Sequence, residues 1–147
     1  MATYNVTGPG GTTGHPTRVR RPYLVENTID ISALNGDSGA AQNDVLQVLD
    51  IPAETLVMEA GIEVLTALSS SVTLDLGITG GDVDIYVDGD TNATGYATLT
   101  ATARHISASA DTLDVLVLSA DSTAGKIRVW AVTVSYTHLT LPTTTIV

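Results

Sequence analysis

Cysteine and phenylalanine are both absent from this 147-residue chain, and tryptophan occurs once. Without cysteine there are no disulfides and no thiolate metal sites, so the fold must be held by packing. Without Phe, the apolar side chains are Val, Leu, Ile and Ala, small groups that suit stacked sheets with half-buried strand faces. No apolar run approaches the roughly twenty residues of a helical membrane span, and a membrane is not an expected partner. The first thirty residues lack the apolar stretch of a secretory signal, so export by that route is not expected. The sequons at Asn5 and Asn92 are accordingly read as coincidental.

Positive charge is scarce as well. Six Lys and Arg stand against sixteen Asp and Glu, a formal net charge of −10. All sixteen acids follow Pro22, whereas three of the six bases are Arg18, Arg20 and Arg21. The acidic part repels phosphate backbones, which excludes nucleic acid as its partner.

What is present divides into an arm and a body. Residues 1–22 carry Gly8-Pro9-Gly10-Gly11 and Thr12-Thr13-Gly14-His15-Pro16, a density of Gly and Pro that marks irregular chain. This basic, extended arm is either an unstructured leader or a segment that docks on a neighbour.

Residues 23–133 have the length of one ordinary domain, and there the apolar period changes to two. In Ser71–Thr79, Val72, Leu74, Leu76 and Ile78 alternate with Thr73, Asp75 and Gly77, so their side chains point to opposite faces of a strand. The segment before it alternates through Leu56, Met58, Ala60, Ile62 and Val64, with Gly61 as the expected bulge. Further strands are read at Tyr23–Ile31, Val83–Asp88, Ala97–Ala103 and Leu113–Val117. The final strand, Lys126–Thr133, sets Ile127, Val129 and Ala131 inward and Lys126, Arg128 and Trp130 outward. Asp44–Ile51 fits a strand or a short helix, and the strand is preferred. Asn35-Gly36, Gly80-Gly81, Asp88-Gly89-Asp90 and Thr123-Ala124-Gly125 supply turns. About eight short strands with no long helix predict an all-β fold, a two-sheet antiparallel sandwich of jelly-roll type.

Motifs for chemistry are weak throughout. Gly36-Asp37-Ser38-Gly39 copies a serine-protease nucleophile segment, but only His15 precedes it and no base or oxyanion hole is apparent. Asp88, Asp90 and Asn92 could hold calcium, yet the register fails the helix–loop–helix pattern, and a polar loop is the plainer reading. His15 and His105 are isolated. No Gly-rich loop leads into a helix with a Lys. No catalytic residue, metal or cofactor is therefore expected. Tyr86, Tyr96 and Trp130 fall on the nominal outward faces of their strands, where exposed aromatics serve as contact residues. Trp130, between basic neighbours, is the strongest candidate for a protein interface.

The end of the chain has a separate reading. Val134-Ser135-Tyr136-Thr137-His138-Leu139-Thr140-Leu141-Pro142-Thr143 matches one translated frame of a transposase adapter used in shotgun sequencing libraries. Residues 134–147 are thus expected to be non-native, with the gene drawn from environmental DNA and its own C-terminus missing.

Four strings carry a family resemblance: Tyr23-Leu24-Val25-Glu26-Asn27-Thr28-Ile29-Asp30, Asp50-Ile51-Pro52-Ala53-Glu54-Thr55-Leu56-Val57, Leu74-Asp75-Leu76-Gly77-Ile78-Thr79-Gly80-Gly81-Asp82-Val83-Asp84 and Ala124-Gly125-Lys126-Ile127-Arg128-Val129-Trp130-Ala131-Val132. Together they resemble short structural proteins of uncultured marine tailed phages, over most of residues 23–133. The resemblance implies a non-enzymatic virion component, made in the host cytoplasm and mounted on the capsid surface as a decoration or cement protein. Its implied partners are the major capsid protein, itself, or both, with a trimer as one arrangement. The alternative function is a carbohydrate- or receptor-binding module of a tail or fibre, using Tyr86, Tyr96 and the Asp88 loop.

Overall fold

The computed structural model describes residues 21–69, 71–78, 84–90, 94–96 and 104–135. Nine strands follow one another there: β1 Tyr23–Asp30, β2 Val45–Ile51, β3 Thr55–Thr66, β4 Thr73–Ile78, β5 Val87–Asp90, β6 Gly95–Tyr96, β7 His105–Ser107, β8 Asp111–Leu118 and β9 Lys126–Ser135. A single 3-10 turn, Ile31–Ala33, follows β1, with the Asp30 side chain capping it by accepting from the Ser32 backbone N–H. Asp44–Ile51 resolves as strand, as its β-branched residues favour.

Every pairing is antiparallel. One sheet has the order β1-β9-β3-β6, with β7 also on β3; the other runs β2-β8-β4-β5. Consecutive strands from β1 to β4 alternate between sheets in this order, as do β8 and β9, and that is the strand order of a jelly roll. The first strand lies beside the last, which brings Asp30 opposite Lys126 and Tyr23 opposite Thr133.

The alternation read from the sequence fills the space between the sheets. Leu74 and Leu76 on β4, Leu113, Val115 and Val117 on β8, and Ile127, Val129 and Ala131 on β9 are all buried. Val57, Ala60, Ile62 and Val64 complete the layer from β3. Apart from Tyr86, the described core is aliphatic, so its stability comes from many aliphatic contacts, each buried side chain worth about 1.5–3 kcal/mol. At one margin, where edge strands β1 and β2 meet, the Asn27 amide donates to the Val48 carbonyl at 2.9 Å and ties the two sheets together.

Several details differ from the sequence reading. The irregularity in β3 does not fall at Gly61, which stays in register opposite Trp130; it falls between Val57 and Glu59, and again between Val64 and Thr66. An extra residue at Met58 reverses the alternation, so Val57 rather than Leu56 enters the core. Val83–Asp88 is not one strand. Residues 84–86 form a turn and bend, and the strand spans Val87–Asp90, taking in Gly89, which keeps a positive φ of 60°. Ala97–Ala103 and Gly80-Gly81 lie outside the described residues. β9 continues past the expected boundary at residue 133, with Val134 and Ser135 still paired to Leu56 and Thr55; residues 136–147 lie outside the description.

Loops gather at the end of the sandwich where β1 stops. Asn35 and Gly36 have successive positive φ values of 50° and 64°, the conformation for which Asn-Gly is suited. Gly39 then passes so close to the β8–β9 loop that a Cβ there would lie 2.0 Å from the Ser122 carbonyl oxygen. The next residue forms a two-way bridge, Ala40 N–H to Ser122 O at 2.9 Å and Ser122 N–H to Ala40 O at 2.8 Å. The protease-like tetrapeptide is therefore a structural corner: Ser38 is exposed, and Gly39 is there because only glycine fits.

Candidate assembly face

Register across β1, β9 and β3 defines the outer surface of the five-stranded sheet. Glu26, Trp130 and Gly61 form one row, Thr28, Arg128 and Glu63 the next, and Asp30 lies beside Lys126. Toward the opposite end, Leu24 is beside Val132, and Val134 is beside Leu56, which in turn pairs with Ile106. The surface thus has an ion-paired end and a more apolar end that also carries the exposed Glu59 beside Val132, with Trp130 between them. Gly61 is buried although it sits on the outer side, and its cross-strand neighbour is that indole; an aromatic opposite a glycine is a known way to stabilise such a position.

The charged end is ion-paired locally. Lys126 Nζ is 3.5 Å from Asp30 Oδ2. Arg128 reaches Glu26 at 4.0 Å through Nε and donates to Glu63 through its guanidinium. The Ser32 hydroxyl, 2.5 Å from Asp30 Oδ1, and then Lys126 hold the Asp30 carboxyl below the usual range. Pairs this exposed are each worth about 0–1 kcal/mol, so their effect is to cancel charge rather than to hold the fold. The apolar end is open: Leu24 is 58% exposed and Ile106 57%.

The other sheet is different in kind. Its strands carry Asp50, Asp75, Asp88, Asp90, Asp111 and Asp114 and no Lys or Arg. Every described base, Arg21, Arg104, Lys126 and Arg128, lies on a strand of the five-stranded sheet or immediately before one. The molecule is therefore two-sided: the strands of one sheet carry acids and no Lys or Arg, while those of the other carry two bases, Lys126 and Arg128, among four acids, Glu26, Asp30, Glu59 and Glu63, and are partly apolar on the outside. Two of the acids are unexpectedly buried, Asp75 at 6% exposure and Asp114 at 7%. Asp75 accepts from the Gly89 N–H at 2.6 Å and Asp114 from the Thr112 hydroxyl at 2.7 Å. Burial, with the nearby Asp88 charge, raises the Asp75 pKa above the usual carboxylate value, while the Gly89 hydrogen bond opposes the rise.

The residues singled out from the sequence scatter over the molecule. Trp130 is half-buried on the outer face, flanked by Arg128, as its alternation indicated. Tyr86 is a correction: it is not an outward aromatic but is 3% exposed and packed with the core. Its N–H bonds the Leu76 carbonyl while the next residue, Val87, also pairs with Leu76, so two residues face one and the alternation breaks. Burial pushes its phenol up to about 12, and among the described residues its hydroxyl has no hydrogen-bond partner. Tyr96 lies in β6 opposite Glu63. Arg21 is exposed just before β1, and Arg18 and Arg20 lie outside the described residues.

For chemistry the described residues offer little. A shallow groove of about 370 Å³ is lined by Gln47, Asp50, Ala110, Asp111 and Thr112, with no imidazole, hydroxyl–base pair or cation among them. Among the described residues no group of three His, Asp or Glu is placed to hold a metal ion, and no helix is long and apolar enough to cross a membrane. Asn92 of the acidic loop is outside the description.

Comparison with known proteins agrees with the architecture. No family model matches the chain, and no curated protein matches it. Solved structures do. A chain from the acidic-stable capsid structure of the Helicobacter pylori bacteriophage KHP30 aligns with a TM-score of 0.55 at 14% identity, covering 77% of this chain and 86% of that one. A chain from the capsid asymmetric unit of cyanophage Pam1 aligns with a TM-score of 0.57 at 16% identity, covering 78% and 84%. The shared property is the fold, which this chain has in common with chains found in phage capsids.

Proposed function

We propose that this chain is a non-enzymatic bacteriophage structural protein, a capsid decoration or cement protein on the outer surface of the virion. The observation that carries the reading is the combination of a fold shared with phage capsid chains and a surface built for contact. An aliphatic sandwich presents one ion-paired, partly apolar sheet and one acidic sheet. The basic arm, Arg18, Arg20 and Arg21, supplies a complementary latch for an acidic shell or an acidic neighbour; an extended segment can also add to a sheet edge through main-chain hydrogen bonds. The major capsid protein and further copies of this chain are the partners, in a symmetric oligomer such as a trimer or dimer. The tail-fibre reading loses support from the burial of Tyr86, which removes one of its two aromatic contacts.

The test uses shells assembled from the major capsid protein of the phage that encodes this chain. Full-length protein co-sediments with them at a fixed ratio, and a variant starting at Tyr23 folds but stays in the supernatant. Undiminished binding by that truncated variant would remove the arm from the proposal, and failure of the full-length chain to bind would remove the decoration role.

A further inference from the structure

We infer that the basic segment before β1 folds back across the β1–β2 margin of its own chain and seats Arg18 and Arg20 in the groove between β2 and the start of β8, against Asp50 and Asp111. The inference rests on the assembly reading above and concerns the regulation of the same latch: in the free protein the arm is held by its own body, and a shell competes for it.

Three observations lead to it. The first is where the arm leaves the body. β1 and β2 are edge strands of different sheets that meet at one margin, where the Asn27 amide donates to the Val48 carbonyl. Tyr23 starts β1 opposite Thr133, and Ile51 ends β2 opposite Asp111. Ile51 leads by a short loop into Thr55, which pairs with Ser135 just beyond Thr133, so the arm's root and the groove lie at one end of the sandwich. Tyr23 is four residues from Asn27 and Asp50 two from Val48; at about 3.3 Å per residue and about 10 Å between sheets, the root is roughly 10–15 Å from the groove. Arg20 and Arg18 stand three and five residues before Tyr23, a reach of up to about 10 and 17 Å in extended chain. Arg21 precedes Pro22, which favours extended backbone there.

The second is a chemical match. The groove, about 370 Å³, is lined by Gln47, Asp50, Ala110, Asp111 and Thr112. Asp50 is exposed, and register sets it opposite Thr112 and diagonal to Asp111. β2 and β8 carry no Lys or Arg, and among the described residues neither carboxylate has an ion pair. Side chains two apart in an extended segment share a face, so Arg18 and Arg20 together meet two carboxylates, the partners guanidinium groups bind best.

The third is the choice among occupants. The other described bases are placed elsewhere. Lys126 and Arg128 are paired with Asp30, Glu26 and Glu63, and Arg104 precedes β7, on the far side of β3 from β1. A second copy, at net charge −10, is repelled. A tethered segment escapes that repulsion, because a short linker gives it an effective concentration on the order of millimolar. Exposed ion pairs are individually weak, so tethering keeps the groove filled, and salt or a denser acidic surface releases the arm.

The chain has no cysteine, so Thr17→Cys gives a single attachment point for a nitroxide on full-length protein, read by amide NMR. Relaxation enhancement is expected at Gln47, Asp50, Asp111 and Thr112 at low salt. It should collapse in about 1 M salt, where the Debye length is about 3 Å. The same collapse is expected at low salt with Asp50→Asn and Asp111→Asn combined; Asn keeps the oxygen that accepts from the Thr112 N–H. Arg18→Gln with Arg20→Gln should act alike while leaving the body untouched. No enhancement at the groove, or enhancement indifferent to both double substitutions, would overturn the inference. So would enhancement seen only when labelled chains are mixed with isotope-enriched unlabelled ones, since the groove filled would then be a neighbour's. Co-sedimentation with shells separates the two claims. Groove contact without shell binding removes the decoration role and leaves this contact standing; shell binding without groove contact does the reverse.

Discussion

Replacing Gly39 with alanine tests whether the Gly36-Asp37-Ser38-Gly39 segment is a corner or a nucleophile site. Gly39 has φ +83°, and an added Cβ would stand 2.0 Å from Ser122 O and 2.7 Å from Thr123 Cα, both main-chain atoms that cannot rotate away. An L-residue held in left-handed backbone costs about 1–2 kcal/mol. Relieving the overlap separates the two loops and breaks both hydrogen bonds of the Ala40–Ser122 bridge, at about 1 kcal/mol each. The expected loss is therefore about 3–4 kcal/mol, a large part of the roughly 5–15 kcal/mol available to a domain. Urea titration followed by circular dichroism and Trp130 fluorescence measures it directly. Ser38→Ala is the control: its side chain is exposed, and the substitution should change stability by less than about 0.5 kcal/mol. A Gly39→Ala variant within 1 kcal/mol of wild type would refute the packing argument, and any hydrolytic activity lost on Ser38→Ala would refute the structural reading of the motif.

Tyr86→Phe removes a buried hydroxyl that has no partner among the described residues, so it should stabilise the fold by about 1–2 kcal/mol, read as a rise in melting temperature; destabilisation would mean the hydroxyl is satisfied. Asp75→Asn keeps an oxygen to accept from Gly89 N–H while removing a charge whose burial raises the carboxyl pKa above 3.8. Because the folded chain holds that proton more tightly than the unfolded one, wild-type stability falls as pH rises from about the unfolded value through the raised one. The variant should therefore melt higher than wild type at pH 7 and show no such gain at pH 3, and an equal shift at both values would contradict the assignment. Leu76→Ala, at a fully buried position on β4, should cost about 2–5 kcal/mol by denaturant titration; a loss below 1 kcal/mol would place Leu76 outside the core.

Much of the architecture was legible because strands in a sandwich write their burial at every second residue. Ile127, Val129 and Ala131, and likewise Leu113, Val115 and Val117, could be assigned to the core from spacing alone. The reading failed where one residue was added to the count. At Met58 an extra residue reversed which of Leu56 and Val57 faces inward, and at Tyr86 two residues oppose Leu76. The bulge at Met58 has no glycine to announce it, while Gly61, which looked like one, is regular; the register shift between β4 and β5 does contain a glycine, Gly89, at positive φ. The assembly face was legible only in part. Trp130 next to Lys126 and Arg128 stood out, but Leu24, Leu56 and Ile106 look like any core residue until register places them on the outside. The ion pairing is equally non-local, since Arg128 meets a glutamate 65 residues earlier in the chain. Burial of Asp75 and Asp114 had no sequence signal, because outward strand positions with carboxylates read as solvated.

The central claim is that this sandwich acts by binding to a phage shell and not by turning over a substrate. Calorimetry of shells assembled from the major capsid protein of the phage that encodes this chain, with and without saturating full-length protein, tests it most directly. The account predicts a saturable, stoichiometric rise in the melting temperature of the shell; an unchanged melting profile with the protein left in solution would contradict it.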